Sequence, residues 1–499
     1  MAVDGFGDRT VLGGLDSGLT PARIRELSIS GARMILESGA DAVVYLGPNG
    51  PLFPIALFSA ARAGVPLVPV NYRLGTEQLD RLLASHQNAI GLAGPQQLDR
   101  LRAAGLRSFL GSDWLAGIAG LAGGGGEPVE APGAALIIYT SGTTAAPKGV
   151  LLRHENLAAY VFSTVAFAGA EETETALVSV PPYHIAAVAN VLTNLYAGRR
   201  AVVLEQFTAA EWLNAVREER ITNALVVPTM LARILDAPDE QLHVPSLRVL
   251  AYGGAPMPAR VVERALRRWP HVDFVNAYGL TETSSTIAVL GPQDHRAAIT
   301  SEDPKIRARL GSVGTVVPGV ELQLRDEAGE VAPGGTGRVW VRGDQVSAQY
   351  AGRGPELENG GWFDTRDLGY LDEDGYLFLG GRADDTIIRG AENIAPAEIE
   401  DVLLAHPDVD DAVVVGIPDT EWGQRLEAAV VLHPGATAGP AELREHVRTR
   451  LRGSKTPDQI AIWDELPRTE TGKLIRRQAA ERIIAEAEGS ELASGRPAD

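Results

Sequence analysis

Cysteine is absent from all 499 residues. Disulfides, thiolate nucleophiles and thiolate metal sites are thereby excluded. Positive charge is scarce: 45 Lys and Arg stand against 64 Asp and Glu, a formal net charge of −19. That balance argues against a general nucleic-acid binder and against docking on an anionic membrane, since both need basic residues. It leaves room for one small anion in a local basic pocket. No apolar run approaches the ~18–20 residues of a membrane helix. The opening MAVDGFGDRT lacks a basic stretch followed by an apolar one, so no secretory signal and a cytoplasmic location are expected. The nine histidines form no HExxH pair and no GxSxG elbow occurs, so metalloprotease and α/β-hydrolase readings lack support.

What is present is an evenly punctuated chain. Glycine (55) and proline (31) separate short apolar runs, which indicates many turns. Candidate strands are Ala42–Leu46, Val65–Val70, Ala135–Tyr139, Ala201–Leu204, Ala224–Val227, Leu247–Tyr252 and Phe274–Tyr278. Helical patterns such as Ala209–Glu219 and Pro258–Arg268 lie between them. Continuous apolar strands alternating with helices predict parallel sheets covered on both faces. Gly123–Gly126 reads as a flexible linker.

From about Gly311, short strands and turns (Val320–Leu324, Gly337–Val341, Tyr376–Leu379) predict a small antiparallel sheet or barrel. After Gly380 an α+β pattern follows, with helices at Ala397–Ala405 and Ala441–Leu451 and strands at Asp411–Gly416 and Glu427–Leu432. The tail after about Glu486 is small and polar, and is expected to fray.

Four polar stretches carry candidate chemistry. Tyr139-Thr-Ser-Gly-Thr-Thr-Ala-Ala-Pro-Lys-Gly149 follows a buried strand. Its amides, hydroxyls and single lysine suit phosphate oxygens. It is not a Walker A loop, because Pro147 stands where that motif needs glycine. Asn276-Ala-Tyr-Gly-Leu-Thr-Glu282 also follows an apolar strand, so its polar end would lie at a carboxyl edge. There Tyr278 offers a flat face for a base and Glu282 a ligand for magnesium. In Gly361-Trp-Phe-Asp-Thr-Arg-Asp-Leu-Gly369 and Gly381-Arg-Ala-Asp-Asp385, Asp367 can accept two ribose hydroxyls, and Arg382 can reach sugar or phosphate. Pro467-Arg-Thr-Glu-Thr-Gly-Lys473 places a lysine in a C-terminal turn. Taken singly, the first stretch is as much an ordinary surface loop as a phosphate site, and for the other three a buried tyrosine or a solvated charge is the default reading.

In this order and at these spacings, from about Asp41 to Arg477, the motifs resemble the adenylate-forming superfamily of acyl- and aryl-CoA synthetases, amino-acid adenylation domains and luciferases. The resemblance implies a large N-terminal domain over residues 1–383. It would comprise two parallel α/β subdomains and a small β-barrel-like subdomain. A small mobile α+β domain would follow over 384–499, pivoting at Asp384. It implies activation of an acid with ATP and Mg2+ to an acyl-adenylate, releasing pyrophosphate, then transfer to a thiol, most often coenzyme A.

By motif, Thr140, Ser141, Gly142, Thr143, Thr144 and Lys148 would hold the ATP phosphates. Gly253, Gly254, Ala255 and Pro256 would line the adenine slot, with Asn276, Ala277, Tyr278 and Gly279 completing it. Thr281 would meet the α-phosphate and Glu282 the magnesium. Asp367 and Arg382 would take the ribose. Lys473 would bridge carboxylate and phosphate, offsetting the charge of two reactants that repel each other.

Pro181-Pro-Tyr-His184 matches the aromatic–histidine pair beside the acid pocket, with Tyr183, His184, Ile185, Thr229, Gly253, Gly279 and Ser284 as candidate walls. Beside that pair, Ile185, Thr229, Ala251–Gly254 and Thr283–Ser285 are small, apolar or hydroxylated and none is basic, and no aspartate stands where amino-acid-activating members usually carry one. A monocarboxylic aliphatic or aryl acid is therefore favoured. Gly390, Ala391 and Glu392 would border the thiol channel. Two positions depart from the family pattern: Ala187 replaces the glycine of His-x-x-Gly, and Ala391 replaces the second glycine of Gly-Gly-Glu-Asn. A methyl in a tight channel is felt, so other acceptors (a carrier protein or an amine) and unusual acids such as nitrite in diazotisation stay open. A non-catalytic nucleotide-binding protein is the reading from another class. No nucleic-acid partner or membrane insertion is expected, and the chain would act as a monomer or homodimer.

Overall fold

A computed structural model describes residues 1–499 except 16, 122–132, 141–147, 333, 390–391, 420–421, 452, 470–471 and 495–499. The glycine-rich segment at 123–126 lies outside the described residues. Two compact units emerge: Met1–Leu322 with Val341–Phe363, and Gln323–Trp340 with Asp364–Asp499. No described helix is long and apolar enough to cross a membrane.

The first unit holds two seven-stranded sheets. In one, Ala134–Thr140, Leu67–Pro69, Val43–Leu46, Ile90–Ala93 and Arg107–Leu110 run parallel. The side-chain period of two sends Val43 and Tyr45 into a core with Ile35, Phe53 and Trp114. Val44 and Leu46 enter the opposite core with Leu79, Leu83 and Leu101. Burial on both faces explains why this strand reads as an unbroken apolar run.

In the second sheet, Asp273–Leu280, Val249–Gly253, Asn223–Val226, Thr175–Val178 and Arg200–Val203 are parallel. Leu250, Tyr252, Trp212 and Trp269 share its largest core. The outer strand Arg200–Val203 is not left bare. The Ala201 amide donates to the Val11 carbonyl (2.9 Å), and the Gly13 amide donates to the Ala201 carbonyl (2.8 Å).

The parallel expectation holds for these ten strands, and each sheet also carries an antiparallel border. Lys148–Arg153 pairs antiparallel with Ala134–Thr140, and Ser285–Leu290 with Asp273–Leu280. The links are too short for the dozen or more residues of a parallel crossover, so the chain must return antiparallel.

The second unit opens on an antiparallel arrangement in which Trp362–Leu371 pairs with Leu377–Arg382, and Glu321–Asp326 with Gly329–Glu330. Its larger core surrounds the three strands Val409–Asp419, Gly423–Leu432 and Gln459–Ile462. Ala412 and Val414 face Ile399, Leu403 and Leu443, while Val413, Val415 and Ile417 face Trp463, Ala479 and Ile483. Helices Pro396–Leu404 and Pro440–Arg448 thus cover one face of this sheet. The helix Arg476–Ser494 covers the other, and it continues past Glu486. Arg476 crosses between the layers: it donates to both Glu400 carboxylate oxygens and to the Val414 carbonyl (3.0 Å). The Val414 amide donates back to Glu400 (2.7 Å).

Candidate active site

In the first unit, the parallel strands of the second sheet deliver their carboxyl ends to one edge, where open α/β sheets bind ligands. Register sets Tyr252 beside Asn276 and Gly253 beside Ala277. A Cβ on Gly253 would lie 2.2 Å from the Ala277 carbonyl oxygen, so a side chain there would force the two strand ends apart. Gly254, Ala255 and Pro256 follow directly, with Gly254 and Pro256 exposed and Ala255 half-buried. The Asn276 amide donates to the Ser312 carbonyl (3.1 Å), which fixes that side chain beside the strand. Behind this edge the Tyr252 hydroxyl meets buried His295 Nε2 (2.8 Å), and His295 Nδ1 meets the Gly291 carbonyl (2.8 Å). A carbonyl only accepts, so Nδ1 carries the proton and Nε2 accepts from Tyr252. Burial keeps His295 below its ordinary pKa, which suits this neutral form.

The strand bulges between Tyr278 and Gly279 and runs on to Leu280 before the chain reverses. Thr281–Thr283 forms a single 3-10 turn. Ser284 and Ser285 adopt positive φ of 56° and 119°. The turn is clasped by the segment 343–350. The Glu282 carbonyl accepts from the amides of Ser347 (2.9 Å) and Ala348 (3.2 Å). The Glu282 carboxylate accepts from the Tyr350 hydroxyl (2.9 Å). Gln345 Nε2 donates to the carbonyls of Thr283 (2.9 Å) and Thr286 (2.8 Å), and Ser284 Oγ donates to the Gln345 carbonyl (2.8 Å).

Lys148 belongs to the same neighbourhood. Its strand starts opposite Thr140, whose hydroxyl lies 3.4 Å from the Lys148 carbonyl. The Lys148 ammonium sits 5.6 Å from the centre of the Tyr350 ring, within cation–π range. One phenol therefore touches both the acidic turn and the lysine of the hydroxyl-rich loop. Ser141, Gly142, Thr143 and Thr144 lie outside the described residues.

His184 precedes the helix Ile185–Ala197, and its carbonyl accepts from the Ala187 amide (3.0 Å). Burial alone pulls its imidazole down to about 4, although part of the residue's surface still reaches solvent. The ring is therefore neutral at pH 7. Tyr183 is buried between His184 (centroids 4.8 Å apart) and Tyr72 (5.8 Å, edge-on). Ile185 packs against the first sheet's core, and Ala187 is fully buried. Thr229 lies half-buried in the first turn of the helix Pro228–Leu235.

In the second unit, Asp367 and Arg382 are register partners, with Arg382 Nε 3.9 Å from the carboxylate. Thr365 binds both, accepting from the Asp367 amide (3.1 Å) on its hydroxyl and from Arg382 (3.4 Å) on its carbonyl. The preceding Arg366 takes a positive φ of 62° and reaches Asp384 at 3.5 Å. Lys473 is exposed on a turn in which its carbonyl accepts from the Thr469 amide (2.8 Å). Its own amide donates to the Thr469 hydroxyl (3.1 Å). Arg468 braces this turn through the Gly472 carbonyl and through Asp411. Glu392 opens a strand paired with Ile387–Arg389, and Gly390 and Ala391 lie outside the described residues.

Among the described residues no group of three or more His, Asp or Glu could hold a metal. Glu282 fits magnesium in another way. Its carboxylate is a hard oxygen donor, and magnesium usually keeps waters and binds one or two carboxylates plus substrate phosphates. Nothing in the sequence singles out Tyr350, Gln345 or the Tyr252–His295 pair. Tyr350 and Gln345 act on Glu282 and Thr283 across more than sixty residues, and no local pattern marks them.

Residues 2–351 match the AMP-binding enzyme family, and residues 398–473 match the AMP-binding enzyme C-terminal domain. A feruloyl-CoA synthase of Amycolatopsis sp. is 34% identical over 453 residues, 89% of either chain. A fatty acid–acyl-carrier-protein ligase of Streptomyces coeruleorubidus is 33% identical over 463 residues, 89% of this chain and 87% of its own. Among solved structures, O-succinylbenzoate coenzyme A synthetase from Bacillus subtilis in complex with ATP and magnesium ion superposes with a TM-score of 0.81. It is 27% identical, covering 96% of this chain and 98% of its own. With motifs, sheet-edge geometry and both matched regions in agreement, the chain belongs to the AMP-binding enzyme family.

Proposed function

We propose that the protein joins a monocarboxylic aliphatic or aryl acid to ATP, forming an acyl-adenylate and releasing pyrophosphate, and then passes the acyl group to the thiol of coenzyme A. The observation that carries this reading is a convergence between the two sheets of the first unit. Gly253 closes on Ala277 at the carboxyl edge of the second sheet, and Lys148 and Glu282 meet on either side of Tyr350, which pairs with the border strand of the first.

A carboxylate is a poor acyl donor because oxide would have to leave. Attack of its oxygen on the α-phosphorus breaks the bond to pyrophosphate and leaves a mixed anhydride whose leaving group is AMP. A thiolate then attacks the acyl carbon, AMP departs, and the thiol proton passes to solvent. The protein's part is to position the reactants and neutralise charge. Lys148, with Thr140 and the loop Ser141–Thr144, would hold the phosphates. Thr281 would meet the α-phosphate. Glu282 would hold magnesium, which neutralises phosphate charge when bound.

Asp367 would accept the ribose hydroxyls, with Arg382 kept beside it by Thr365. Lys473 would bridge carboxylate and phosphate. Neutral His184 would border the acid's carboxylate without adding a charge, alongside Tyr183, Ile185, Thr229, Gly279 and Ser284. Asp384 would be the pivot of a mobile C-terminal domain, and Gly390, Ala391 and Glu392 would border the thiol path. The feruloyl-CoA synthase and succinylbenzoate relatives support an acid–CoA ligase.

A second reading keeps adenylation and changes the acceptor to a carrier protein. Ala391 in the thiol path and the carrier-protein ligase relative favour it. The test is pyrophosphate release across a panel of aliphatic and aryl acids, with AMP release measured with and without coenzyme A. Acid-dependent pyrophosphate release with CoA-dependent AMP release is expected. Pyrophosphate release that no acid stimulates would overturn the reading, and AMP release only with a carrier protein would move it to the second.

A further inference from the structure

The clasp on the Thr281–Ser285 turn is more elaborate than a turn on a sheet edge needs. The backbone of Glu282 is already held by two amides, from Ser347 and Ala348. Gln345 is itself buried at 3% exposure and spends both amide protons on carbonyls flanking the turn. These bonds alone fix the backbone. Tyr350 adds something different. It is 5% exposed, and its hydroxyl, at the end of a strand pair with Lys148–Arg153, is aimed at the Glu282 side chain. A hydrogen bond to one carboxylate oxygen stops the carboxylate rotating and sets which way its remaining lone pairs point. The same ring seats the Lys148 ammonium at 5.6 Å.

Resting on the adenylation reading above, we infer that Tyr350 is a positioning residue: its hydroxyl orients the Glu282 carboxylate for the divalent cation of the metal–nucleotide, while its ring holds Lys148 in place for the phosphates. The two functions are separable, because phenylalanine keeps the ring and loses only the hydroxyl. Partners that orient a metal-binding carboxylate typically change metal affinity by about 10- to 100-fold when removed.

The experiment uses the full chain with Mn2+ as the metal probe and α,β-methylene-ATP, whose bridge adenylation cannot cleave. Mn2+ binding is followed by electron paramagnetic resonance, and nucleotide binding without metal by calorimetry in EDTA. Tyr350→Phe is expected to weaken Mn2+ in the ternary complex by about 10-fold or more. It should leave metal-free nucleotide affinity within about twofold of the native protein, because Lys148 keeps its seat. Glu282→Gln is expected to weaken Mn2+ at least as much. The double variant should be no weaker than Glu282→Gln alone, because the inferred effect of the hydroxyl on the metal runs through that carboxylate.

Native-like Mn2+ affinity in Tyr350→Phe beside a loss in Glu282→Gln overturns the inference and leaves the adenylation reading standing. Additive losses in the double variant also overturn it, because the hydroxyl would then act elsewhere. Native-like Mn2+ affinity in Glu282→Gln refutes the magnesium role of Glu282 itself, and the inference falls with it.

Discussion

Gly279→Ala perturbs the site by a single methyl. Gly279 stands where the strand Asp273–Leu280 pinches against its antiparallel partner, at a bulge between Tyr278 and Gly279. A Cβ there would lie 1.8 Å from the Ser285 carbonyl oxygen, 2.5 Å from its carbon and 2.8 Å from the Thr286 Cα. All three are backbone atoms, so no side chain can swing away. The contact must open from 1.8 Å to at least 3.0 Å before the alanine is tolerated. The hairpin end that moves carries Thr281 and Glu282, and on the other side Tyr278. A misplacement of about 1 Å at reacting groups costs on the order of 100-fold in rate. Overpacking of this kind costs about 1–3 kcal/mol of stability.

Both numbers are measurable on one preparation. Urea unfolding followed by tryptophan fluorescence reads the stability, and single-turnover pyrophosphate release with the best acid of the panel reads the rate. Gly311→Ala is the control. Nothing lies within 4 Å of its added Cβ, and it should stay within about 0.5 kcal/mol of the native protein. A Gly279→Ala enzyme that releases pyrophosphate at the native rate would show that the pinch does not position Thr281 and Glu282, and the geometric argument would fail.

Other outcomes follow from the same geometry. Lys473→Ala should abolish adenylation while sparing thioester formation from supplied acyl-adenylate, measured as separate half-reactions; normal adenylation would remove Lys473 from the proposed role. Glu400→Ala leaves the Arg476 guanidinium with Asp385 (3.3 Å) as its remaining carboxylate, so the loss should fall below the about 3–5 kcal/mol of a charge left wholly unpaired but stay above about 1 kcal/mol. An unchanged unfolding midpoint of the C-terminal region, read at Trp463, would contradict this. His184 binds its proton at about 4 in the fold against 6.5 ordinarily, so protonation favours the unfolded chain. Its contribution is complete above about pH 6.5 and is lost as pH falls toward 4, up to about 3 kcal/mol. His184→Gln should therefore flatten the urea midpoint between pH 6.5 and 4 by about one proton's worth of slope; an unaltered slope would show that the imidazole is not desolvated.

The apolar strands were legible in the sequence because burial on both faces leaves no polar residue to interrupt them, as in Val43–Leu46. The antiparallel borders were less legible. Ser285–Leu290 opens on two polar residues, Ser285 and Thr286, and only the four-residue link from Leu280 hints at its direction. Candidate site residues could be read only as a set, since hydroxyls, glycines and a lysine after an apolar strand are ordinary loop residues until the other motifs follow in order. What holds them together could not. Gln345 and Tyr350 reach Thr283 and Glu282 across 62 and 68 residues, through bonds that exist only once the chain has folded. The slip at Arg200–Val203 against the expected Ala201–Leu204 is of the same kind. Arg200 looks like a terminator, yet it is buried, with its guanidinium bonded to Glu219 and to the Gly13 carbonyl.

The bonds of Val11 and Gly13 to Ala201 have a practical side. They occupy the outer strand of the second sheet, whose sequence Arg-Ala-Val-Val would otherwise offer a short, largely apolar row of open amides and carbonyls to any passing chain. An expression clone trimmed to start at the first long helix, Pro21–Ser38, would remove that seal. Such a clone should yield protein that self-associates through the uncovered strand, with the losses appearing in solubility and shelf life before they appear in turnover.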